Sequence, residues 1–349
     1  MKKLSLIFLA GSIAMVSCKK EMTTNVKSVA TDSLNSFSNV TNATSLSTNF
    51  GVLPNGLTSD DKITLAQKLQ VQYVRDQITL TDFTGKSFQT DKWLSNGFKI
   101  LLNLNYQSGG IVPFPTDMVQ YKQLLNNVLD VYTPEIAIIE NEPFNVNYYS
   151  GPIENYFTEL KAAINVCHSR GVKVADGGLN SQRVCELVYQ NYVSKGEQQK
   201  ADDFAARALI DKNLRVAQGK GSAEATSLLD DTRKMVDEYK ILNLDYVNIH
   251  WYEPIKSDID QTVTSPGVLQ EVANYLRPAT GHPVITNEFG QFNTTTTLIG
   301  SQVDAFRAAH FKYAVDFSNN SGGGMGSVAL SNGIILKPNG NEYKQKVAQ

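Results

Sequence analysis

The stretch E-I-A-I-I-E-N-E-P-F-N, Glu135 to Asn145, decides how the rest of the chain is read. It opens as a short apolar run with β-branched residues and breaks off in Asn141, Glu142 and Pro143. A run of that length reads as a strand buried on both faces, as in a parallel sheet. Pro143 cannot donate to a ladder, so the strand is expected to stop near Glu142. A carboxamide and a carboxylate then stand at the C-terminal rim of a buried strand, the edge at which α/β barrels carry their chemistry. A second carboxylate on the same rim would turn that edge into a site.

Outward from this stretch, strand-like and helix-like segments alternate, the pattern of a parallel sheet with covering helices. Strands are expected at Asn49–Leu53, Val71–Thr79, Phe98–Tyr106, Glu135–Glu142, Val172–Ala175, Tyr246–Trp251, Pro283–Glu288 and Gly326–Leu330. Helices are expected over Ser59–Leu69 with Ser59 as N-cap, Asp117–Asp130, Ile153–Arg170 with Gly171 ending it, Val268–Arg277 and Gln302–Ser318. Between Ser181 and Leu244 the connection is long for a βα unit and holds at least two helical patterns, Val184–Lys195 and Ala223–Leu242. Eight strands with intervening helices predict an α/β fold, a (β/α)8 TIM barrel, spanning 49–349. No internal repeat or second domain boundary is visible.

The 349 residues accommodate such a barrel of roughly 250 residues with room for insertions. The 32 basic and 34 acidic side chains nearly cancel, so no nucleic-acid partner is expected. Residues 1–17 read as a leader: Lys2 and Lys3, then an apolar run from Leu4 to Val16 that is short for a membrane span. Ser17-Cys18-Lys19-Lys20 resembles a bacterial lipoprotein signal, which implies lipidation of Cys18 and anchoring in the cell envelope. An ordinary secretory leader with an incidental cysteine is the alternative. Residues 18–48 are rich in Thr, Ser and Asn and read as a flexible tether. Cys167 and Cys185 fall in helices flanking one strand, where a disulfide is geometrically possible and two buried thiols are the simpler expectation. The cysteines and four histidines show no metal-ligand spacing, and neither metal nor organic cofactor is expected.

The seventh strand, P-V-I-T-N-E-F-G from Pro283 to Gly290, repeats the design of the fourth: an apolar run ending in a carboxylate, Glu288. In a closed barrel Glu142 and Glu288 face one mouth, and paired carboxylates across a small cleft suit glycosidic bond cleavage. One is protonated to assist the leaving group and the other ionised, with repulsion and burial separating their proton affinities.

These motifs resemble the clan A glycoside hydrolases, with acid/base on strand four and nucleophile on strand seven, and family 5 in particular. The resemblance spans about Phe50 to Leu330. It implies Glu142 as acid/base, Glu288 as nucleophile, and Asn141 as the amide contacting the sugar 2-hydroxyl. His250-Trp251-Tyr252 resembles the strand-six H-x-Y motif, so Tyr252 would hydrogen-bond the nucleophile and His250 would line the subsite. Arg75 resembles the strand-two arginine that keeps the nucleophile ionised. Asn105 and Tyr106 are further rim candidates for substrate, with Phe144. The chain departs from family 5 in having no histidine at the end of strand three, which reads Asn103, Asn105 and Tyr106. It also lacks a strand-eight tryptophan: its two tryptophans are Trp93 and Trp251, and Trp251 should point away from the interior.

Simpler roles stand beside these. The glutamates could be solvated loop residues, His250 a core histidine, and Arg75 half of an ion pair with Asp76. Glu140 shares the parity of Glu142 and would face the interior, and Asp176 is a rim acid; neither has a role in this reading. The expected function is retaining hydrolysis of a poly- or oligosaccharide outside the cytoplasm by a monomeric domain. The alternative is a non-catalytic carbohydrate-binding lipoprotein on a degenerate barrel.

Overall fold

The computed structural model describes residues 47–253, 266–291, 297–321 and 328–349. The leader, Cys18, nearly all of the tether and the glycine-rich segment 322–326 lie outside the described residues. Among the described residues no helix is long and apolar enough to cross a membrane.

Eight parallel strands build the barrel: β1 (Asn49–Asn55), β2 (Tyr73–Thr79), β3 (Lys99–Asn105), β4 (Ile136–Ile139), β5 (Lys173–Asp176), β6 (Val247–Glu253), β7 (Val284–Gln291) and β8 (Tyr313–Asn319). They pair in the order β5-β4-β3-β2-β1-β8-β7-β6. The chain closes the ring where β5 ends: Ala175 bridges Tyr246, and the two-residue strand Leu179–Asn180 pairs with β6. The fold is the expected (β/α)8 barrel.

Covering helices are α1 (Ser59–Leu69), α2 (Phe88–Ser95), α3 (Met118–Leu129), α4 (Ile153–Ser169), α5 (Ser181–Ser194), α6 (Gln198–Ala208), α7 (Asp211–Ala217), α8 (Ala223–Tyr239), α9 (Pro266–Thr280), α10 (Thr297–Ala308) and α11 (Pro338–Val347). Thr58, not Ser59, caps α1, its hydroxyl accepting from Asp61 N–H. Helix α2 was not expected. The long connection after β5 holds α6 and α7 besides the two expected helices.

Strand parity divides the buried side chains into two cores. Leu53, Tyr73, Leu101, Ile136, Ile138, Tyr246, Ile285, Tyr313 and Val315 fill the barrel interior, with Tyr73 and Tyr246 edge-on to Tyr313. Ile100, Leu102 and Leu104 of β3 point outward to the helices, as does the fully buried Trp251. Cys167 and Cys185 are buried free thiols in that outer core. Burial pushes the Cys167 thiol up to about 12.

Two strand expectations fail for identifiable reasons. The eighth strand is Tyr313–Asn319, registered along β1 from Asn49↔Tyr313 to Asn55↔Asn319. The expected helix Gln302–Ser318 ran through it. Helix α10 ends at Ala308, because His310 takes a left-handed backbone (φ 54) and Phe311 N–H folds back to Phe306 C=O at 3.0 Å. Gly326–Leu330, expected as that strand, lies partly outside the described residues; Val328 forms an isolated bridge to Asn319 and donates its N–H to Gln291 C=O at 2.8 Å. The fourth strand stops at Ile139 rather than near Glu142, since Glu140 and Glu142 both adopt positive φ, 63° and 51°.

Candidate active site

The Glu288 side is built on strands. Regular alternation would send Asn287 inward and Glu288 outward. Between Ile285 and Phe289 the register of β7 shifts against both neighbours, a bulge that re-aims one side chain. Thr286 Oγ supports it by donating to Glu288 C=O at 2.8 Å. Glu288 thereby turns into the mouth, where Arg75 of β2 donates to one oxygen and the Tyr252 hydroxyl of β6 to the other. Arg75 is buried, and its other nitrogens donate to Asn103 Oδ1 at 2.9 Å and Asn141 Oδ1 at 2.6 Å. Its ion pair is thus with Glu288, not Asp76, whose carboxylate takes the Thr90 hydroxyl.

The Glu142 side is built on a turn. Leaving β4, Glu140 turns in the left-handed region and does not face the mouth. Its carboxylate accepts from Tyr106 N–H and from the Tyr149 hydroxyl, both at 2.7 Å. That hydroxyl accepts from Asn141 N–H at 3.1 Å, which ties the candidate amide to the turn. Glu142 N–H donates to Gly177 C=O at 2.8 Å. Its carboxylate meets Asn145 Nδ2 and His250 Nδ1, each at 2.9 Å. A Cβ built on Gly178 would overlap the His250 ring, so that position leaves room for the imidazole. Asp176, just before it, accepts from Asn248 N–H at 2.6 Å and Gly178 N–H at 3.0 Å, and burial pushes it up to about 7.

The two sides differ in charge. Burial alone would raise the Glu288 carboxyl, but the Arg75 charge, then His250 and the Tyr252 hydroxyl, outweigh it and hold the group below its ordinary value. Burial alone would depress His250; Glu288 and Glu142 overcome this and raise it. One oxygen of Glu142, one of Glu288 and one His250 ring nitrogen lie within 4.8 Å of one another. A metal at that set would have to displace Arg75 and Tyr252 from Glu288 and sit beside a guanidinium, so the residues fit proton transfer better than a cation. Inverting pairs of carboxyl groups stand wider apart, at about 6.5–9.5 Å.

The structure therefore brings together Arg75, Asn141, Glu142, His250, Tyr252 and Glu288. Asn105 and Tyr106 make no side-chain hydrogen bond to these six among the described residues, though Asn105 has the strand parity of Asn103. Asn105 is buried at the end of β3, with Oδ1 unpaired among the described residues. The Tyr106 ring packs edge-on against Tyr121 of α3 at 6.2 Å. Sequence reasoning missed Tyr149 and the buried amides Asn103, Asn248 and Asn287. The available signal for the amides was parity, since Asn103 shares a strand face with Leu101, Asn248 with His250 and Asn287 with Ile285.

No protein-family model and no curated protein matches the chain. Solved structures do. A glucosidase from Croceicoccus marinus matches with a TM-score of 0.57 at 11% identity, over 87% of this chain and 68% of that chain. A broad-specificity endoglucanase of glycoside hydrolase family 5, subfamily 4, from Clostridium longisporum matches at 0.53 and 12% identity, over 83% and 86%. A family 128 exo-β-1,3-glucanase from Aureobasidium namibiae matches at 0.51 and 9% identity, over 86% and 98%. The chain has the fold of these barrel glycosidases, and identities this low speak to fold alone.

Proposed function

We propose that the protein is a retaining glycoside hydrolase acting on a poly- or oligosaccharide. The observation that carries this reading is the opposed environment of two glutamates within 4.8 Å: Glu288 held ionised by Arg75, Glu142 paired with an imidazole. Glu288 attacks the anomeric carbon while the leaving oxygen takes the proton of Glu142. Water then loses a proton to Glu142 and displaces Glu288 from the sugar. Arg75 occupies Asn141 Oδ1, which leaves Nδ2 to donate to a substrate hydroxyl. The leader and Cys18 support an envelope-anchored enzyme, with carbohydrate outside the cytoplasm as substrate.

A non-catalytic carbohydrate-binding protein is the second reading, favoured by the end of β8, where Ser318, Asn319 and Asn320 offer no aromatic floor for a sugar ring. Incubation with β-glucan, β-mannan, xylan and galactan, scored for new reducing ends, separates the two. Cleavage of at least one is expected, and binding without cleavage across the panel would favour the second. On the cleaved polymer, Glu288→Ala should lose activity by about 10⁴-fold or more and form a glycosyl azide with external azide. Unaltered turnover would refute the nucleophile.

A further inference from the structure

Below the two glutamates the barrel is crossed by amides rather than hydrocarbon. Asn103 of β3, Asn248 of β6 and Asn287 of β7 are fully buried. The orientation of each carboxamide is dictated by a neighbour that can only donate. Arg75 Nε has no lone pair to offer, so the Asn103 atom it meets at 2.9 Å is the oxygen. The Asn287 atom that reaches the same oxygen at 2.8 Å must also donate and is Nδ2. Asn287 Oδ1 is then the atom facing His250 Nε2 at 2.9 Å. The far end of the chain agrees. The backbone N–H of Asn287 donates to Asn248 Oδ1 at 2.9 Å, which leaves Asn248 Nδ2 to donate to Asn287 Oδ1 at 2.7 Å. An oxygen opposite Nε2 requires a proton on Nε2.

We propose that Asn287, oriented by Arg75 through Asn103, locks His250 in the Nε2–H state and so makes one further proton common to His250 Nδ1 and Glu142. With Nε2 protonated, a neutral imidazole presents a bare Nδ1 to Glu142 at 2.9 Å. Two lone pairs repel at that distance, so the contact holds only with a proton between them: a Glu142 acid donating to Nδ1, or an imidazolium donating to the carboxylate. The groups facing the ring are Glu142 at Nδ1, Glu288 and Arg75 across the mouth, and Asp176 behind it on β5. Asp176 spends its oxygens on the N–H groups of Asn248 and Gly178, which leaves the ring's hydrogen bonds to Asn287 and Glu142. The catalytic consequence rests on the hydrolase reading. Once Glu142 has given its proton away, carboxylate and bare Nδ1 face each other, which makes Glu142 a stronger base toward the incoming water. Asn287 is a positioning residue in this scheme and does not touch substrate.

The test is nitrogen NMR of ¹⁵N-histidine-labelled protein, with the His250 signals identified by their loss in His250→Gln. The expected result is a protonated Nε2 in the unmodified protein from about pH 5 to 8. Asn287→Leu removes the acceptor, and His250 should convert to the Nδ1–H tautomer, donating to an ionised Glu142. A bare Nε2 in the unmodified protein overturns the lock. An unchanged tautomer in Asn287→Leu overturns the role of Asn287. Should that variant not fold, the unmodified spectrum decides by itself. It needs no turnover, so its failure is distinct from failure of the hydrolase reading.

Discussion

Glu288 is carried by β7, with β2 and β6 supplying its arginine and tyrosine, while Glu142 hangs on a turn beyond β4 between Glu140 and Gly177. The first is held by a permanent charge and a hydroxyl on rigid elements. The second is held by backbone geometry and by groups that themselves gain and lose protons. Two non-glycine residues with left-handed backbone in three positions cost about 1–3 kcal/mol each, and persist only where surroundings over-determine them. Here Tyr106, Tyr149 and Gly177 do so through hydrogen bonds to the turn. A group that only has to stay ionised suits the rigid side; a group that must release and recover a proton suits the titrating one.

The largest break in this contrast is Glu142→Ala. Loss of a general acid should slow substrates with poor leaving groups by about 10²–10⁴-fold, and spare those whose leaving group needs no proton. Kinetics on a series of aryl glycosides would show it as a steeper dependence on leaving-group acidity. An equal loss across the series would mean that Glu142 is not the donor.

Arg75→Met tests the other side. Removing the guanidinium should raise the Glu288 carboxyl and move the acid limb of kcat/KM upward with it. The stability sign follows from the depressed value of Glu288. Its contribution is present above the ordinary value of 4.5 and lost as pH falls through the folded value, so the variant should lose most at neutral pH and least in acid. Denaturant melts at several pH values would read this. A destabilisation independent of pH would assign Arg75 to packing alone. Gly178→Ala is a gentler probe of the Glu142 side. Its methyl group would press on the His250 ring at a backbone φ of 101°, and kcat should fall by about 10-fold with KM little changed, as for a misplaced acid.

The rigid side is also the more legible in sequence. Arg75, Tyr252 and Glu288 stand on strands inside short motifs, so strand order alone brings them together. Even there, the bulge that turns Glu288 inward depends on Thr286 bonding to its own strand, which no hydrophobic pattern records. The Glu142 turn reads ambiguously, because parity places Glu140 in the mouth and only its left-handed backbone takes it out. Asn103, Asn248 and Asn287 are ordinary polar residues until three strands distant in sequence are placed in register. The eighth strand was hidden for a local reason. It follows α10 through a turn at His310, without the glycine or proline that would announce a break, so Y-A-V-D-F-S-N extended the preceding helical pattern.

The smallest expected effect concerns the prop behind the turn. Glu159 of α4 is fully buried, its oxygens have no donor among the described residues, and it faces the Glu140 carboxylate. Burial, and then Glu140, push its carboxyl well above the ordinary value of 4.5. Burial raises the Glu140 carboxyl too, and the pair is expected to hold one proton, on Glu159, since Glu140 already receives Tyr106 N–H and the Tyr149 hydroxyl. A raised carboxyl contributes stability that is fully present below 4.5 and lost as pH rises toward the folded value. Glu159→Gln keeps a donor and cannot ionise. Its melting temperature relative to the unmodified protein should climb with pH above that value, by about 2 °C or more, with little change in rate in mild acid. A pH-independent difference would mean that no proton is shared there and that the turn carrying Glu142 does not rest on a titrating prop.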